Sequence, residues 1–496
     1  MAQIRFGTDG WRSVIAEDFT FANVARVAQA TADYWGANPV NGTERKVIVG
    51  YDRRFFSDRF AQTAAEVLAG NGFDVVLTPA PTPTPAVSFA VRQQKVVGGV
   101  MITASHNPPM FNGFKLKSHY GGSSDPETCK GVENMLDRNP VRVLPLEEAR
   151  REGRILLKDV RPAHYTALKK LVDFRLIARS KLRFAHDALF GVGAGCFEEL
   201  LRGTTCRVTT LNATHDPLFG GINPEPIDKN YARSAAFLRK HPHDICLVTD
   251  GDADRVGGMD GRGNYLSTHQ VICLLLRHFV VNRKGRGRVV KALTTTSMVD
   301  KMCAEHGLQL VETGVGFKYV CAEMLKGDVL LGAEESGGIG FPGHIPERDG
   351  IAAGLFLLEM LAVERVSVNR LLAGLEKKFG PDVRRIVEAC TDGAPGVVRD
   401  ESTWLERKVD YLAGLYSVDS DALVVVAADK VSNARAILDD DAIAPGEVWG
   451  MFNAPRQAIA WYYDEATTAL AMRLPDNVVT LRLVRLASLL AQSAGG

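Results

Sequence analysis

Short apolar runs alternate with longer amphipathic stretches along most of this sequence. In the first part, apolar runs at 46–50 and 73–77 enclose an amphipathic stretch at 60–68 that ends at Gly70-Asn-Gly72. Short apolar runs bounded by turn residues predict buried strands, and the amphipathic stretch predicts a helix. This order is a βαβ unit, so we expect a parallel sheet.

The same pattern begins again twice. A predicted strand at 182–186 leads through a glycine-rich loop to a helix at 196–201, and a further strand is predicted at 244–249. A third round has a strand at 288–293, a helix at 297–306 and a strand at 309–311. Three similar mixed α/β domains are therefore predicted. We place them at residues 1–155, 156–270 and 271–384.

The last segment, residues 385–496, differs from the rest. Its apolar runs at 422–427 and 458–463 predict strands, but the βαβ rhythm is weaker there. We therefore expect a smaller fourth domain of the α+β class.

Composition narrows the class of protein. Hydrophobic residues make up 46% and charged residues 24% of the 496 residues, and the net charge is +1. These are values of a soluble globular protein, with no basic excess for nucleic acid or an anionic membrane. No apolar run reaches the roughly 20 residues of a membrane helix. The eight cysteines form no Cys-x-x-Cys pair, which favours free thiols in a reducing cytoplasm.

The first candidate site is the serine loop, residues 103–109 (Thr-Ala-Ser-His-Asn-Pro-Pro), which follows an apolar run at 97–102. Its two prolines disfavour a helix, so Ser105 is displayed at a strand end. Ser105, His106 and Lys115 lie within eleven residues, which suggests a site for an anion. A simple polar turn explains these residues equally well.

The second candidate site is an acidic loop with Asp250, Asp252 and Asp254 at alternate positions. In a tight loop three carboxylates converge, and oxygen ligands favour a hard cation, Mg²⁺ before Ca²⁺ or Mn²⁺. An EF-hand is excluded because the sixth position is Arg255 and the twelfth is Gly261, where glycine and glutamate are needed. The alternative is a solvated acidic turn. It does not explain why the buried strand predicted at 244–249 leads directly into this loop.

The two sites complement each other chemically. Three carboxylates leave an octahedral Mg²⁺ short of ligands, and a phosphorylated Ser105 would supply an oxygen. His106, Lys115 and Arg255 would add positive charge around the phosphoryl group. Neutralising that charge is the main demand of phosphoryl transfer.

A third loop, residues 332–338, follows the apolar run 329–331 and contains Glu334 and Ser336. A carboxylate and a hydroxyl suit hydrogen bonding to neighbouring sugar hydroxyls. A plain glycine-rich turn has the same composition. A further polar segment, residues 343–350, lies just downstream.

Together these segments resemble the α-D-phosphohexomutase superfamily, which includes phosphoglucomutases and phosphomannomutases. The resemblance covers about residues 4–380 and includes, in the order of the family, segments 6–12, 103–109, 216–226, 250–255, 313–319 and 332–338. It implies a four-domain enzyme, monomeric or homodimeric, whose active site lies in a central cleft and whose last domain is TBP-like.

The resemblance also implies the role of each site residue. Ser105 would be the phosphoserine and a metal ligand, with Asp250, Asp252 and Asp254 holding Mg²⁺. Arg12, His106, Lys115 and Arg255 would surround the phosphoryl group, with Lys115 as general acid/base. Glu334 and Ser336 would hold sugar hydroxyls. Lys318 would position the substrate, although alone it reads as a solvated lysine.

The implied reaction interconverts hexose 1-phosphate and hexose 6-phosphate. Glucose is the first expectation for the sugar, with glucose 1,6-bisphosphate as intermediate and activator. Phosphomannomutase and phosphoglucosamine mutase are the alternatives. The third loop, residues 332–338, which we call the sugar loop, ends in Gly337-Gly338 and looks less like that of the glucosamine group. A non-catalytic sugar-phosphate-binding protein is the alternative from another class.

One family segment is missing. Members usually carry Arg-x-Ser-Asn/Gly-Thr-Glu-Pro in the last domain, where it holds the non-reacting phosphate. The nearest candidate is 472–482, in which Arg473 aligns and Pro475 and Asp476 replace phosphate-binding groups. Either Arg473 anchors the phosphate alone, or this domain has another role.

Overall fold

A computed structural model describes residues 4–7, 10–379, 401–443, 446, 448–452 and 454–495. The chain folds as two compact units, Met1–Gly374 and Leu375–Gly496, and each is described by itself.

The first domain is built on a six-stranded mixed sheet with the order β1-β5-β4-β2-β3-β6. Strands β4, β2, β3 and β6 are parallel, and β5 and β1 are antiparallel to their neighbours. A Cβ at Gly98 would lie 2.5 Å from the Trp35 ring, so glycine lets helix α1 pack closely on β4. The elements are β1 (Trp11–Val14), α1 (Phe21–Ala37), β2 (Glu44–Tyr51), α2 (Ser57–Gly70), β3 (Asp74–Leu77), α3 (Thr84–Gln93), β4 (Val96–Ile102), β5 (Phe111–Ser118), α4 (Pro126–Met135), α5 (Leu146–Arg151) and β6 (Ile155–Leu157).

The second domain has a five-stranded sheet with the order β11-β10-β9-β7-β8. Strands β9, β7 and β8 are parallel, whereas β10 and β11 are antiparallel to their neighbours. The acidic loop therefore joins two adjacent antiparallel strands, β9 and β10. The elements are α6 (Arg161–Leu171), α7 (Phe174–Arg179), β7 (Arg183–Asp187), α8 (Cys196–Leu200), β8 (Arg207–Leu211), α9 (Ala232–Lys240), β9 (Ile245–Thr249), β10 (Val256–Asp260) and β11 (Tyr265–Leu266).

The third domain has a four-stranded sheet with the order β13-β12-β14-β15. Helix α13 is buried from Gly350 to Ala362, because it is apolar on all sides and packs among α7, α10, β9 and β10. It thereby joins the second domain to the third. The elements are α10 (Thr268–Arg277), β12 (Arg288–Ala292), α11 (Met298–His306), β13 (Leu310–Thr313), α12 (Phe317–Leu325), β14 (Val329–Ala333), β15 (Ile339–Gly340), α13 (Gly350–Glu364) and α14 (Val368–Phe379).

The prediction of three mixed α/β domains is confirmed. In each domain a candidate loop follows a central strand directly: the serine loop follows β4, the acidic loop follows β9 and residues 334–338 follow β14. Ligand sites of open α/β sheets lie at the carboxyl ends of such strands. The domain limits given above stay predictions.

The second unit is helical in its described residues. Its helices are α15 (Glu401–Leu415), α16 (Ser420–Ile443), α17 (Arg456–Arg473) and α18 (Val478–Gly495). The strands predicted at 422–427 and 458–463 are wrong, since these residues lie within α16 and α17. Within residues 401–443 and 454–495 the structure contains no strand, so the α+β, TBP-like architecture expected here is not observed in the described part.

The helical period explains this correction. The buried residues of α17 include Ile459, Tyr462, Tyr463, Ala466 and Leu470, a spacing of three and four that places them on one face. That face joins the core of the unit. A six-residue apolar run is too short to reveal this period, and packing outweighs the strand preference of valine and tyrosine.

Helix α18 is long and apolar enough to cross a membrane by length and composition alone, and 28% of it is buried. Its Leu483, Ala487 and Leu490 pack in the core of the helical unit. Core helices of soluble proteins meet the same criteria of length and composition, so one such helix is weak evidence for a membrane span.

Candidate active site

Ser105 is fixed at the carboxyl end of β4. It is 1% exposed and its φ is +53°, a left-handed conformation that is uncommon outside glycine. The Ser105 backbone N–H donates to Thr103 Oγ1 at 2.9 Å, and Ser105 Oγ donates to Asp250 Oδ2 at 2.9 Å. The structure thus brings the serine loop into direct contact with the acidic loop.

The three aspartates of the acidic loop converge on one point. One carboxylate oxygen from each of Asp250, Asp252 and Asp254 lies within 4.8 Å of the others, and all three residues are 0% exposed. Asp252 Oδ1 and Asp254 Oδ1 are buried and accept no hydrogen bond from any described residue. Buried carboxylate oxygens without donors fit a metal ion, because an unsatisfied buried charge is otherwise costly.

The charges around this loop also indicate a cation. Burial, together with repulsion from Asp252 and Asp254, raises the pKa of Asp250. Burial has the same tendency at Asp252, but the charge and hydrogen bond of Lys115 and the hydrogen bonds with Thr84 and Asp250 together outweigh it, so the pKa of Asp252 is lowered. Lys115 Nζ donates to Asp252 Oδ2 at 2.9 Å and to Asp254 Oδ2 at 3.3 Å. These bonds use one oxygen of each carboxylate and leave the other oxygen of each for a cation.

Basic residues lie around the serine. Arg12 Nη1 donates to Asn107 Oδ1 at 2.6 Å, and the Arg255 backbone N–H donates to Asp250 Oδ1 at 3.1 Å. Burial, assisted by the charges of Arg255, Arg12 and Lys115, lowers the pKa of His106 to about 2. These neighbours disfavour a positive charge on His106, and its part in binding a phosphoryl group stays a prediction.

The sugar loop packs directly on the end of the acidic loop. The Val256 N–H donates to the Gly337 carbonyl at 3.0 Å. Gly337 has a φ of +89°, and a Cβ there would collide with the Val256 carbonyl oxygen, so only glycine fits. Glu334 Oε1 accepts hydrogen bonds from Ser336 Oγ at 2.8 Å and from Arg348 Nη1 at 3.0 Å.

A cavity of about 270 Å³ lies between these loops. Six of the residues predicted from the sequence line it: Arg12, His106, Arg255, Lys318, Glu334 and Ser336. The structure adds four polar residues that sequence reasoning did not single out: Ser123, Glu225, Glu335 and Arg348. Arg348 lies in the polar segment 343–350, which was the available signal, whereas Glu225 lies in a family-like segment to which no role was given.

Two further residues missed by the sequence reasoning support the serine loop. Asp52 Oδ2 accepts a hydrogen bond from Thr103 Oγ1 at 2.6 Å, and Arg54 Nη2 donates to the Ser105 carbonyl at 2.8 Å. Asp52 directly follows strand β2 and Arg54 is the third residue after it, so polar residues after a strand end were the signal that could have found them.

Arg473 lies in the helical unit, at the end of α17. Its guanidinium donates to the carbonyls of Leu415 at 3.1 Å and Val418 at 2.8 Å, and also to that of Tyr416. The Arg473 side chain thus hydrogen-bonds carbonyls at and just beyond the end of α15, where a helix leaves carbonyls without a partner. The structure thus gives Arg473 a role in folding, and phosphate binding by it stays a prediction.

The first three domains are similar to those of known proteins. Family models of phosphoglucomutase/phosphomannomutase match residues 3–141 with α/β/α domain I, residues 162–263 with domain II and residues 267–379 with domain III. A phosphoglucomutase/phosphomannomutase of Thermococcus kodakarensis is 28% identical over 85% of this chain and 91% of its own length.

Two other relatives carry different names. A phosphoglucosamine/phosphogalactosamine mutase of Sulfurisphaera tokodaii is 27% identical over 86% of this chain and 90% of its own length. The crystal structure of a candidate phosphomannomutase from Thermus thermophilus superposes with a TM-score of 0.71 at 38% identity, covering 76% of this chain and 84% of that one. The chain therefore belongs to the phosphoglucomutase/phosphomannomutase family of the α-D-phosphohexomutase superfamily.

Proposed function

We propose that this protein is a Mg²⁺-dependent phosphohexomutase that interconverts glucose 1-phosphate and glucose 6-phosphate. The observation that carries the proposal is the 2.9 Å hydrogen bond between Ser105 Oγ and Asp250 Oδ2. A serine hydroxyl that is hydrogen-bonded to a buried cluster of three carboxylates could carry a phosphoryl group. That phosphoryl group would then share a metal ion with the carboxylates.

The metal would be held by Asp250, Asp252, Asp254 and an oxygen of phosphorylated Ser105. When bound, Mg²⁺ neutralises charge on the phosphoryl group during transfer. The Arg12 and Arg255 side chains, which line the cavity, bind the remaining phosphoryl oxygens. His106, which also lines the cavity, supplies a hydrogen bond to the phosphoryl group.

Lys115 is the candidate acid/base. It is buried on β5 and lies beside the acidic loop. To act as a base, Lys115 takes part as its neutral amine. In the first half-reaction, the sugar hydroxyl attacks phosphorus, the bond from phosphorus to Ser105 Oγ breaks with its electron pair staying on Ser105 Oγ, and the hydroxyl proton passes to the Lys115 Nζ amine. The bisphosphorylated sugar then turns round. Ser105 Oγ takes back the other phosphoryl group, and Lys115 returns the proton to the freed sugar oxygen.

The cavity binds the sugar. Glu334 and Ser336 present a carboxylate and a hydroxyl to sugar hydroxyls, and Lys318 at the start of α12 positions the substrate. A second candidate is phosphoglucosamine mutase, because the carboxylate of Glu225 also lines this cavity and suits an ammonium group. Phosphomannomutase is the third candidate, since the relatives carry all three names.

We place the protein in the cytoplasm as a monomer or homodimer, without nucleic-acid or membrane partners. The seven cysteines that the structure describes are free, which supports a reducing compartment.

A coupled assay tests the function. With glucose 1-phosphate, Mg²⁺ and catalytic glucose 1,6-bisphosphate, we expect continuous formation of glucose 6-phosphate. The same assay with mannose and glucosamine phosphates ranks the substrates. Binding of these sugar phosphates without turnover of any of them would contradict the proposal and favour a non-catalytic binding protein.

A further inference from the structure

We propose that Arg54 is a positioning residue. Its hydrogen bonds to backbone carbonyls of the serine loop hold Ser105 in the position needed for reaction. The inference rests on the proposed function, because it concerns the serine that would carry the phosphoryl group. It deepens that function by adding a residue that lies outside the cavity and contacts no substrate.

The guanidinium of Arg54 lies inside the curve of the serine loop. Its Nη2 donates to the carbonyls of Ser105 at 2.8 Å and Asn107 at 2.7 Å. Its Nη1 donates to the carbonyls of Pro108 at 2.7 Å and Phe111 at 2.9 Å. Three carbonyls of the serine loop and the carbonyl of Phe111, the first residue of β5, thus converge on a single side chain, which fixes the path of the chain from Ser105 to β5.

The strand pairing explains why Arg54 lies there. Strands β2 and β4 are parallel, with Tyr51 opposite Ile102. The residues after each strand therefore begin side by side, and the turn that contains Asp52 and Arg54 runs along the serine loop.

The charge of Arg54 is compensated by Asp52 alone among its hydrogen-bond partners. Arg54 Nε lies 3.2 Å from Asp52 Oδ2, and neither side chain is exposed. Asp52 also accepts hydrogen bonds from Thr103 Oγ1 at 2.6 Å and Ser57 Oγ at 2.8 Å. The ion pair of Asp52 and Arg54 is therefore hydrogen-bonded to Thr103, which precedes Ser105 in the sequence, and to Phe111, which follows it.

Ser105 needs such support because its backbone is strained. Its φ of +53° places a non-glycine residue in a sparsely populated region, which persists only when the surroundings over-determine it. The hydrogen bond from Arg54 to the Ser105 carbonyl holds the peptide in that orientation.

Two residues of the second domain also contact Ser105 and Arg54. A Cβ at Gly251 in the acidic loop would lie 2.5 Å from the Ser105 carbonyl oxygen, so the two loops are in contact there. The Phe219 ring of the second domain stacks on Arg54, with its centroid 5.0 Å from the guanidinium carbon. Arg54 thus holds Ser105 where the serine loop meets the acidic loop, which sets the distance from Ser105 Oγ to Asp250.

An arginine is required for this role. A guanidinium offers five N–H donors in one plane, whereas a lysine offers three from a single point and cannot reach four spread carbonyls. Displacement of a reacting group by about 1 Å can cost about 100-fold in rate.

The experiment compares Arg54→Lys with Arg53→Lys in the full-length protein. Arg53 is the matched control because its Nη1 donates to the Ala213 carbonyl at 2.8 Å and not to the serine loop. We expect Arg54→Lys to lower kcat about 100-fold while KM for the sugar phosphate changes less than about 3-fold. Arg53→Lys is expected to keep kcat within about 3-fold of the wild type.

Chemical rescue separates positioning from simple folding. In Arg54→Ala, added guanidinium at low millimolar concentration should raise kcat saturably, whereas methylammonium should not. If Arg54→Ala does not fold, the melting temperature of Arg54→Lys and its kcat per folded molecule are compared with those of the wild type. These two values then separate positioning from folding. A kcat for Arg54→Lys close to that of the wild type would overturn the inference, whereas a wild type without mutase activity would overturn the proposed function instead.

Discussion

Arg348 pairs with Asp254 across two domains, with Arg348 Nη2 lying 3.0 Å from Asp254 Oδ2. The other terminal nitrogen of Arg348 donates to Glu334 of the sugar loop at 3.0 Å. One buried guanidinium therefore connects the acidic loop to the sugar loop, so changes at either loop are expected to affect the other.

We expect Arg348→Met to lower both stability and activity. The substitution leaves the carboxylates of Asp254 and Glu334 buried without this partner, which costs about 3–5 kcal/mol in the free energy of unfolding. Urea unfolding with a chelator present measures the change. Arg286→Met is the control, because Arg286 is exposed and its change should stay within about 0.5 kcal/mol. Equal stability of the two variants would contradict the stabilising connection that Arg348 makes between the acidic loop and the sugar loop.

Gly251→Ala should reduce activity by pushing the acidic loop away from the serine loop. The added Cβ would lie 2.5 Å from the Ser105 carbonyl oxygen, and such crowding typically costs about 1–3 kcal/mol. We expect kcat to fall about 10-fold or more, since the distance between Ser105 and Asp250 changes. Gly36→Ala in helix α1 is the control, because nothing lies within 4 Å of its added Cβ. The prediction fails if Gly251→Ala keeps full activity.

Mg²⁺ should stabilise the folded protein through Asp250, Asp252 and Asp254. A ligand at 100 times its dissociation constant adds about 2.7 kcal/mol to the free energy of unfolding. Thermal unfolding with chelator and with increasing Mg²⁺ measures the effect. Asp254→Asn should weaken it, whereas Asp328→Asn, at an exposed carboxylate, should not. A melting temperature of the wild type that does not respond to Mg²⁺ would argue against the metal site.

Glu225→Gln should distinguish between the candidate sugars. A carboxylate that pairs with an ammonium group contributes about 1.5–3 kcal/mol, so its loss lowers kcat/KM about tenfold or more for glucosamine phosphate. Glucose phosphate should lose much less, because the amide still hydrogen-bonds to a hydroxyl. Asp228→Asn, at an exposed residue outside the cavity, is the control. Equal losses for both sugars would show that Glu225 does not select for the amine.

Much of the site could be predicted from local sequence. Asp250 and Glu334 each follow a buried strand directly, and Ser105 lies three residues after one, so apolar runs and the polar residues after them locate all three loops. The contact between Arg348 and Asp254 could not be found in this way. Arg348 is 94 residues from Asp254 in the sequence, and only the packing of the domains brings them together.

In the helical unit, the local sequence predicts strands where the structure has helices. The run at 422–427 contains three consecutive valines, which locally favour a strand. Its buried residues Leu423, Val426 and Ala427 continue to Ala434 with helical spacing, and this appears only over a window longer than the run. The resemblance matches Arg473 to the family's phosphate-binding segment through the register of residues 472–482, whereas its observed partners are carbonyls at and just beyond the end of α15.

The measurement that tests the central claim most directly is the phosphorylation of Ser105. The purified protein is incubated with Mg²⁺ and glucose 1,6-bisphosphate, and its intact mass and fragment masses are recorded. We expect one added phosphoryl group, located on Ser105, absent from Ser105→Ala and removed again by glucose 6-phosphate. A protein that gains no phosphoryl group, or gains it on another residue, would contradict the role of Ser105 as the phosphoryl carrier.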